Sequence, residues 1–438
     1  MKNLFIKNFG CQMNVYDASR MAALLHDALG YHAVEDPARA DLIIFNTCHI
    51  REKAAEKLFS ELGRLHKAVA PREVLFAVGG CVGQAEGDNI FRRAPFVSLV
   101  FGPQNYHRLP DMLARLAREG GRIFDNGESA DSKFDTLPAV TEAGIVASVV
   151  VQEGCNRFCT YCVVPFTRGR EWSRPVTEIL REVAGLTRVG CKEIHLLGQN
   201  VNAYQSLDQD GVDNDLALLI QQVALVEGVE RVRFITSHPA DMTRELVEVF
   251  ARVPRLCPYL HLPIQSGSDA VLRRMERGHT VADYLGWIHR LRQLVPDIAL
   301  ASDFIVGFPG ESDGEFRQTL ELIRRVEFDH AYSFVYSSRP GTAAATMGDQ
   351  VPPEVATRRL AELQQLLNAI QLAKNHARVG RVEQVLVEGL ARRGSGELTG
   401  KTPHGRTVNF PGDPEFLGRV VEVLITEGLP NSLRGRLA

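Results

Sequence analysis

No stretch of the 438 residues reaches the roughly 18 consecutive apolar residues needed to cross a bilayer. A secretory leader is also missing: the apolar run in Met1-Lys2-Asn3-Leu4-Phe5-Ile6-Lys7-Asn8 is too short for one. Neither sign of charge dominates, since 50 Lys and Arg face 53 Asp and Glu for a net charge of −3. No overall basic field is available for nucleic acid, and any basic patch must be local. With 45% hydrophobic and 24% charged residues, the chain is not collagen-like, disordered or a disulfide scaffold. The expected location is the cytoplasm, where thiols stay reduced. Eight cysteines there argue for metal binding or catalysis over disulfides. The 13 histidines show no metal-ligand spacing.

The length exceeds one ordinary domain and suggests roughly three. The first segment alternates strand and helix patterns. Strands are expected at 4–6, 42–45, 74–78 and 97–101, with helices near 15–29, 50–68, 83–93 and 107–118. Such alternation predicts a parallel sheet covered on both faces. Residues 121–143, rich in Gly, Asp, Ser and Thr, are expected to link it to a second series. There, strands at 145–151, 192–197, 231–236, 258–262, 299–306 and 328–335 alternate with helices at 176–189, 215–226, 243–251, 268–275, 281–294 and 314–326. Six such units, two short of a full barrel, predict a partial (β/α)6 barrel open on one side. A Leu/Ala/Gln-rich helix over 354–378 is read as packing between domains. Short strands at 382–388, 405–410 and 418–426 then predict a small all-β barrel. The fold class is therefore α/β with a β appendage, divided as 1–120, a linker 121–143, 144–376 and 377–438. The last segment carries nine Lys and Arg against seven Asp and Glu, too small an excess to establish RNA binding by itself.

Cys155, Cys159 and Cys162 form a Cys-x-x-x-Cys-x-x-Cys loop directly after the first barrel strand. Chemistry in barrels sits at the carboxyl ends of strands. Three thiolates on one short loop can each hold one iron of a 4Fe–4S cluster, leaving the fourth iron open. A zinc loop is the alternative, but zinc prefers four ligands, and no His lies between 150 and 194. Cys11, Cys48 and Cys81 are 37 and 33 residues apart, so they share no local motif. Each nevertheless follows a predicted strand of the first domain. The carboxyl ends of parallel strands converge on one crevice, so the three can meet in space. Three independent core cysteines are the plainer reading. Cys191 and Cys257, near predicted strand starts, are read as core.

The Cys155–Cys162 loop, with Tyr161 before its last cysteine, resembles that of the radical S-adenosylmethionine (SAM) enzymes. The resemblance implies that the open iron chelates SAM, whose reductive cleavage yields a 5′-deoxyadenosyl radical. It implies a SAM site at the strand ends, built from Tyr161, Gly198, Gln199, Ser237, Gln265, Asp303 and Gly307. Gln199 and Asn200 stand where the family often has Gly-Glu. His238, at the end of the third strand, could face substrate or simply satisfy packing.

Two cysteine triads in this order resemble the methylthiotransferases over essentially the whole chain, with a C-terminal barrel like the TRAM domain. Phe9-Gly10-Cys11-Gln12-Met13-Asn14, Asn46-Thr47-Cys48-His49-Ile50-Arg51-Glu52-Lys53-Ala54 and Leu197-Gly198-Gln199-Asn200-Val201-Asn202 are similar to the MiaB-type branch that acts on tRNA. His49 departs from the Ser more usual there. The resemblance implies methylthiolation of carbon 2 of N6-isopentenyladenosine next to the anticodon, at the cost of two SAM molecules. It implies two 4Fe–4S clusters, with Cys11, Cys48 and Cys81 holding the auxiliary one that carries or supplies sulfur. A sulfur donor and an electron donor are implied but not identified. Arg168, Arg170, Arg392, Arg393 and Arg434 are candidate RNA contacts in this reading, against a solvated arginine face. Two competing functions are another substrate, either threonylcarbamoyl-adenosine in tRNA or a ribosomal protein side chain, and a non-catalytic iron–sulfur RNA-binding protein.

Overall fold

The computed structural model describes residues 2–48, 52–127, 133–134, 138, 143–207, 211–391 and 396–438. They divide into two compact units. Met1–Ala139, Glu153–Asn156 and Cys162–Glu171 form the first, and Val140–Gln152, Arg157–Tyr161 and Trp172–Ala438 the second.

In the first unit, Leu42–Thr47 is buried at every residue. Its side chains alternate between two apolar layers, with Ile43 and Phe45 packed on Leu62, Val78 and Val100, and Leu42 and Ile44 on Leu25, Leu99 and Leu113. That is the expected signature of a parallel strand covered on both faces. It lies in a six-stranded parallel sheet in which the spatial order is second, first, third, fourth, fifth, sixth. The order reverses between Lys2–Phe9 and Leu42–Thr47, where doubly wound sheets open a crevice at their carboxyl ends. Tyr31–Ala33 and Ile123–Asp125 are strands that the sequence pattern misses, because three residues are too few to show a period. The second of these falls inside the expected linker, most of which lies outside the described residues. The helix expected over 83–93 is two helices, Cys81–Glu86 and Asp88–Arg93, broken at Gly87.

The second unit contains all six expected parallel strands: Val146–Val150, Glu193–Leu197, Arg231–Ile235, Tyr259–His261, Ala299–Val306 and His330–Val335. They pair as two three-stranded sheets in chain order. A bridge between Val232 and Leu256, and the Cys257 N–H donating to the Val232 carbonyl at 2.9 Å, join the halves. Among the described residues nothing pairs the first strand with the sixth, so the barrel is open on one side. Its core runs from Val149 and Ile179 through Phe234 and Leu260 to Phe304 and Ile323.

Helix Pro353–His376 packs on the sixth strand and leads into a closed five-stranded barrel. Two of its strands, Glu397–Lys401 and Leu433–Leu437, were not expected; both alternate buried with accessible residues over only five positions. This small barrel is bound to the larger one through backbone carbonyls and through the Arg406–Asp329 ion pair. Arg231 donates to the carbonyls of Lys401 (2.7 Å) and Gln384 (3.2 Å), and Arg233 to those of Pro403 and Thr402 (both 2.8 Å). No helix among the described residues is long and apolar enough to cross a membrane.

Candidate active site

The dispersed cysteines follow three adjacent strands. Phe9 pairs with Thr47, and Thr47 with Gly80, so one row across the sheet ends immediately before Cys48 and Cys81 and two residues before Cys11. The Cys48 N–H donates to the Phe9 carbonyl at 2.8 Å. Gly10 makes this approach possible. A Cβ there would lie 2.5 Å from the Cys48 Cβ and 2.4 Å from Asn14 Oδ1, so no other residue fits. Below, Asn14 donates to Asn46 Oδ1 (3.2 Å), and Asn46 donates to Asn8 Oδ1 (3.1 Å) and to the Asn14 carbonyl (2.7 Å).

Cys11 caps the helix Gln12–Leu29, and Cys81 begins Cys81–Glu86. Helix N-termini favour anions such as thiolates. The Cys11 thiol is drawn down to about 6, chiefly by its hydrogen bond with Cys48, with Arg168's charge and the Asn14 and Met13 N–H groups adding to it against burial. Cys48 and Cys81 are buried and Cys11 is exposed.

The local triad lies between Gln152 and Thr167. Gly154, at φ 73°, lets the chain return on itself: a Cβ would lie 2.0 Å from the Arg170 carbonyl oxygen. The Cys155 N–H donates to the Gly169 carbonyl at 3.3 Å. Cys159 is buried, with Arg277 Nη1 donating to its Sγ at 3.5 Å while Arg277 Nη2 holds the Pro263 carbonyl. Arg277 escapes sequence reasoning, because no spacing links it to a cysteine 118 residues away. Tyr161 stacks edge-on against Phe308 at 6.5 Å.

At the barrel's carboxyl ends, Gln152 Oε1 accepts from the N–H groups of Gln199 (3.0 Å) and Asn200 (3.2 Å). Asn200 donates to Asp241 (2.7 Å), which also holds Arg157. Asn200 Oδ1, Ser237 Oγ, His238 Nε2 and His261 Nδ1 are buried with no hydrogen-bond partner among the described residues. Burial pushes the His238 imidazole far below its ordinary value, so it stays neutral. Its Nδ1 accepts from the Ala240 N–H at 3.1 Å, which leaves Nε2 as a buried donor. Asp303 faces His261 Nε2 at 3.1 Å. Gln265, at φ 76°, joins the fifth strand through the Asp303 carbonyl and the Ile305 N–H.

The glycines expected beside SAM are also closely packed by protein. At Gly198 a Cβ would meet Gln152 Oε1 at 2.6 Å, and at Gly307 the Ala356 Cβ at 2.6 Å.

The arginine expectations are corrected. Arg168 is buried, bonded to Glu153 (2.9 Å) and Asp17 (2.8 Å), and cannot reach a phosphate without breaking both. Arg174 is buried against Glu182 at 2.8 Å. Arg170 is exposed, and Arg434 is accessible beside Glu397 at 3.4 Å. Arg392 and Arg393 lie outside the described residues. Cys191 and Cys257 are buried, and burial pushes both thiols up to about 11.

Among the described residues, no three Cys, His, Asp or Glu side chains gather as the ligands of a single ion would. Thiolates on a cluster each bind a different iron and stand further apart. The donors fit such a group: three thiols on one loop, with Cys159 against the Arg277 guanidinium.

A partial (β/α)6 barrel with this cysteine loop after its first strand defines the radical SAM class, whose members use SAM and a 4Fe–4S cluster. Residues 149–323 match the Radical SAM superfamily, 3–102 the Uncharacterized protein family UPF0004, and 376–438 the TRAM domain. The chain is 60% identical over 437 residues to a tRNA-2-methylthio-N(6)-dimethylallyladenosine synthase of Magnetococcus marinus, covering 100% of both chains. It is 49% identical over 439 residues to the synthase of that name from Methylococcus capsulatus, covering 100% of this chain and 95% of that one. The chain belongs to this synthase family of radical SAM methylthiotransferases and is an enzyme of that class. Among solved structures, the radical SAM methyltransferase TsrM from Kitasatospora setae gives a TM-score of 0.60 at 13% identity, covering 79% of this chain and 77% of that one. The cobalamin-dependent SAM radical enzyme OxsB gives 0.55 at 13%, covering 84% and 58%. At these identities the likeness is one of fold alone.

Proposed function

We propose that the chain replaces the hydrogen on carbon 2 of N6-isopentenyladenosine (the dimethylallyl nucleoside of its relatives' name) in tRNA with a methylthio group. The supporting observation is the pair of cysteine triads, one on a loop after the first barrel strand and one at three adjacent strand ends. It stands in a chain 60% identical end to end to a synthase of that product. Adenine C2–H is unactivated, so an acid–base pair or nucleophile would not suffice. SAM with a 4Fe–4S cluster supplies a carbon radical that does.

In this reading Cys155, Cys159 and Cys162 hold the cluster that meets SAM, and Arg277 offsets the charge of Cys159. Tyr161, Gln199, Ser237, Gln265 and Asp303 surround the cofactor, with Asn200 and His238 added for their buried, unpartnered atoms. Neutral His238 offers a donor that pH does not switch. Cys11, Cys48 and Cys81 hold a second 4Fe–4S cluster, which handles sulfur from a donor, with electrons from a separate reductant.

The tRNA anticodon loop presents its adenosine unstacked. Phe158, Phe166 and Trp172 expose 52%, 60% and 42% of their surfaces in the stretch around the cysteines, which suits stacking on bases. Arg170 and Arg434, with Arg392 and Arg393, are the phosphate contacts of this reading. The compartment is the cytoplasm, where this substrate is found.

The test is anaerobic turnover of the reconstituted chain with SAM, reductant and isopentenylated tRNA, read by nucleoside mass spectrometry. The 2-methylthio-isopentenyl nucleoside is expected. Formation of 5′-deoxyadenosine without it would move the substrate to threonylcarbamoyl-adenosine tRNA or a protein. Absence of SAM binding would leave a non-catalytic protein.

A further inference from the structure

Arg168 was expected on the RNA face but is buried in the first unit. Its guanidinium donates to Glu153 Oε1 at 2.9 Å and Asp17 Oδ2 at 2.8 Å. Lys133 bridges the same two carboxylates, 2.6 Å from Glu153 and 3.7 Å from Asp17. None of the four side chains is more than 4% exposed. Two cations and two anions thus form a buried quartet with no net charge. Such a quartet is expensive to bury, and well-packed apolar residues would often serve stability as well. Its presence calls for a further reason.

The reason lies in what surrounds it. Asp17 belongs to the helix that Cys11 caps. Arg168 ends the short helix Val164–Thr167, which packs against Cys81–Glu86, the helix that Cys81 begins. The guanidinium is therefore bonded to the helix headed by Cys11, and the helix it ends packs on the one headed by Cys81. Burial alone would weaken its charge, but Asp17, Cys81, Glu153 and Cys11 together hold it cationic.

From this placement we propose that Arg168 is a positioning residue of the auxiliary centre, a fixed counter-charge for the anionic group on Cys11, Cys48 and Cys81. The proposal rests on the two-cluster reading above. Asp17, Glu153 and Lys133 hold the guanidinium still and cancel each other in part, so its field is steady and water cannot screen it. A lysine-like free cation would swing; the bidentate fork does not.

A cation beside a cluster favours adding an electron to it, and that can be read apart from turnover. The full chain is reconstituted with both clusters and titrated potentiometrically under electron paramagnetic resonance, with SAM added in parallel to mark the SAM-binding centre's signal. Arg168→Met is expected to lower the auxiliary potential by at least 59 mV, a tenfold shift in its one-electron reduction equilibrium. Arg168→Lys is expected to recover most of it. Because losing one charge from a buried quartet endangers folding, the paired variant Arg168→Gln with Glu153→Gln is measured as well. It removes one cation and one anion, so the net charge beside the centre is unchanged and the potential should move far less. An unchanged potential in folded Arg168→Met overturns the proposal, as does a fall of about 59 mV or more in the paired variant. Iron in the wild-type chain sufficient for only one cluster would instead overturn the two-cluster reading.

Discussion

The two cysteine triads are built in opposite ways. Cys155, Cys159 and Cys162 sit within eight residues of chain, on a loop shaped by Gly154's return, by Arg277's donation to Cys159 and by Thr160's bonds to Arg274 and Met275. Cys11, Cys48 and Cys81 span 71 residues and meet only because three strands pair in one register. The first arrangement is a property of a peptide, the second of a folded sheet. A local triad tolerates drift in the surrounding scaffold, whereas a dispersed one inherits the sheet's rigidity and its vulnerability.

Removing one ligand from each triad gives the largest separation. Cys159→Ala should abolish 5′-deoxyadenosine formation altogether. Cys48→Ala should retain part of it and lose the methylthiolated nucleoside; retained thiolation would end the auxiliary role. Both products are read from one chromatogram.

A methyl group at Gly10 is a smaller intervention aimed at the sheet alone. Gly10→Ala puts a Cβ 2.5 Å from that of Cys48, an overlap worth about 1–3 kcal/mol. The iron bound by the auxiliary triad should fall while the SAM-cleaving centre remains. Equal iron loss from both centres would show that the two triads are not independent.

The effect least tied to either triad lies away from both, at the other end of the barrel. Burial alone would raise the Glu193 carboxyl, but hydrogen bonds from His195 and Arg233 and their charges bring it from 4.5 to about 2. A lowered carboxyl contributes stability above its unfolded value that is lost as pH falls toward the folded one. The loss should therefore fall between about pH 4.5 and 2 and be on the order of 3 kcal/mol. Denaturant midpoints across that window should fall less steeply in Glu193→Gln, and identical slopes would remove Glu193 from the account.

Legibility in the sequence followed the same division. The six barrel strands were readable because short apolar runs alternate with helices of 3.6-residue period, although the sixth, His330–Val335, has no buried residue. The Cys155 loop was readable from spacing alone. The dispersed triad needed the extra step of noticing that each cysteine follows a strand. Arg168 was misread because a cluster of arginines in sequence looks like a charged surface. Nothing local announces that its partners are Asp17 and Glu153, 151 and 15 residues away. Arg277 and Asp241 were invisible for the same reason, and the short strands Ile123–Asp125 and Glu397–Lys401 offered too few residues to show alternation.

Arg231 and Arg233 grip the small C-terminal barrel by main-chain carbonyls of Gln384, Lys401, Thr402 and Pro403. A carbonyl is the same whatever side chain accompanies it. The joint reads the path of the chain at these carbonyls and its spelling at Arg406 and His404, which meet Asp329 and Asp297. Residues of the small barrel away from these contacts are free to diversify without loosening its mooring.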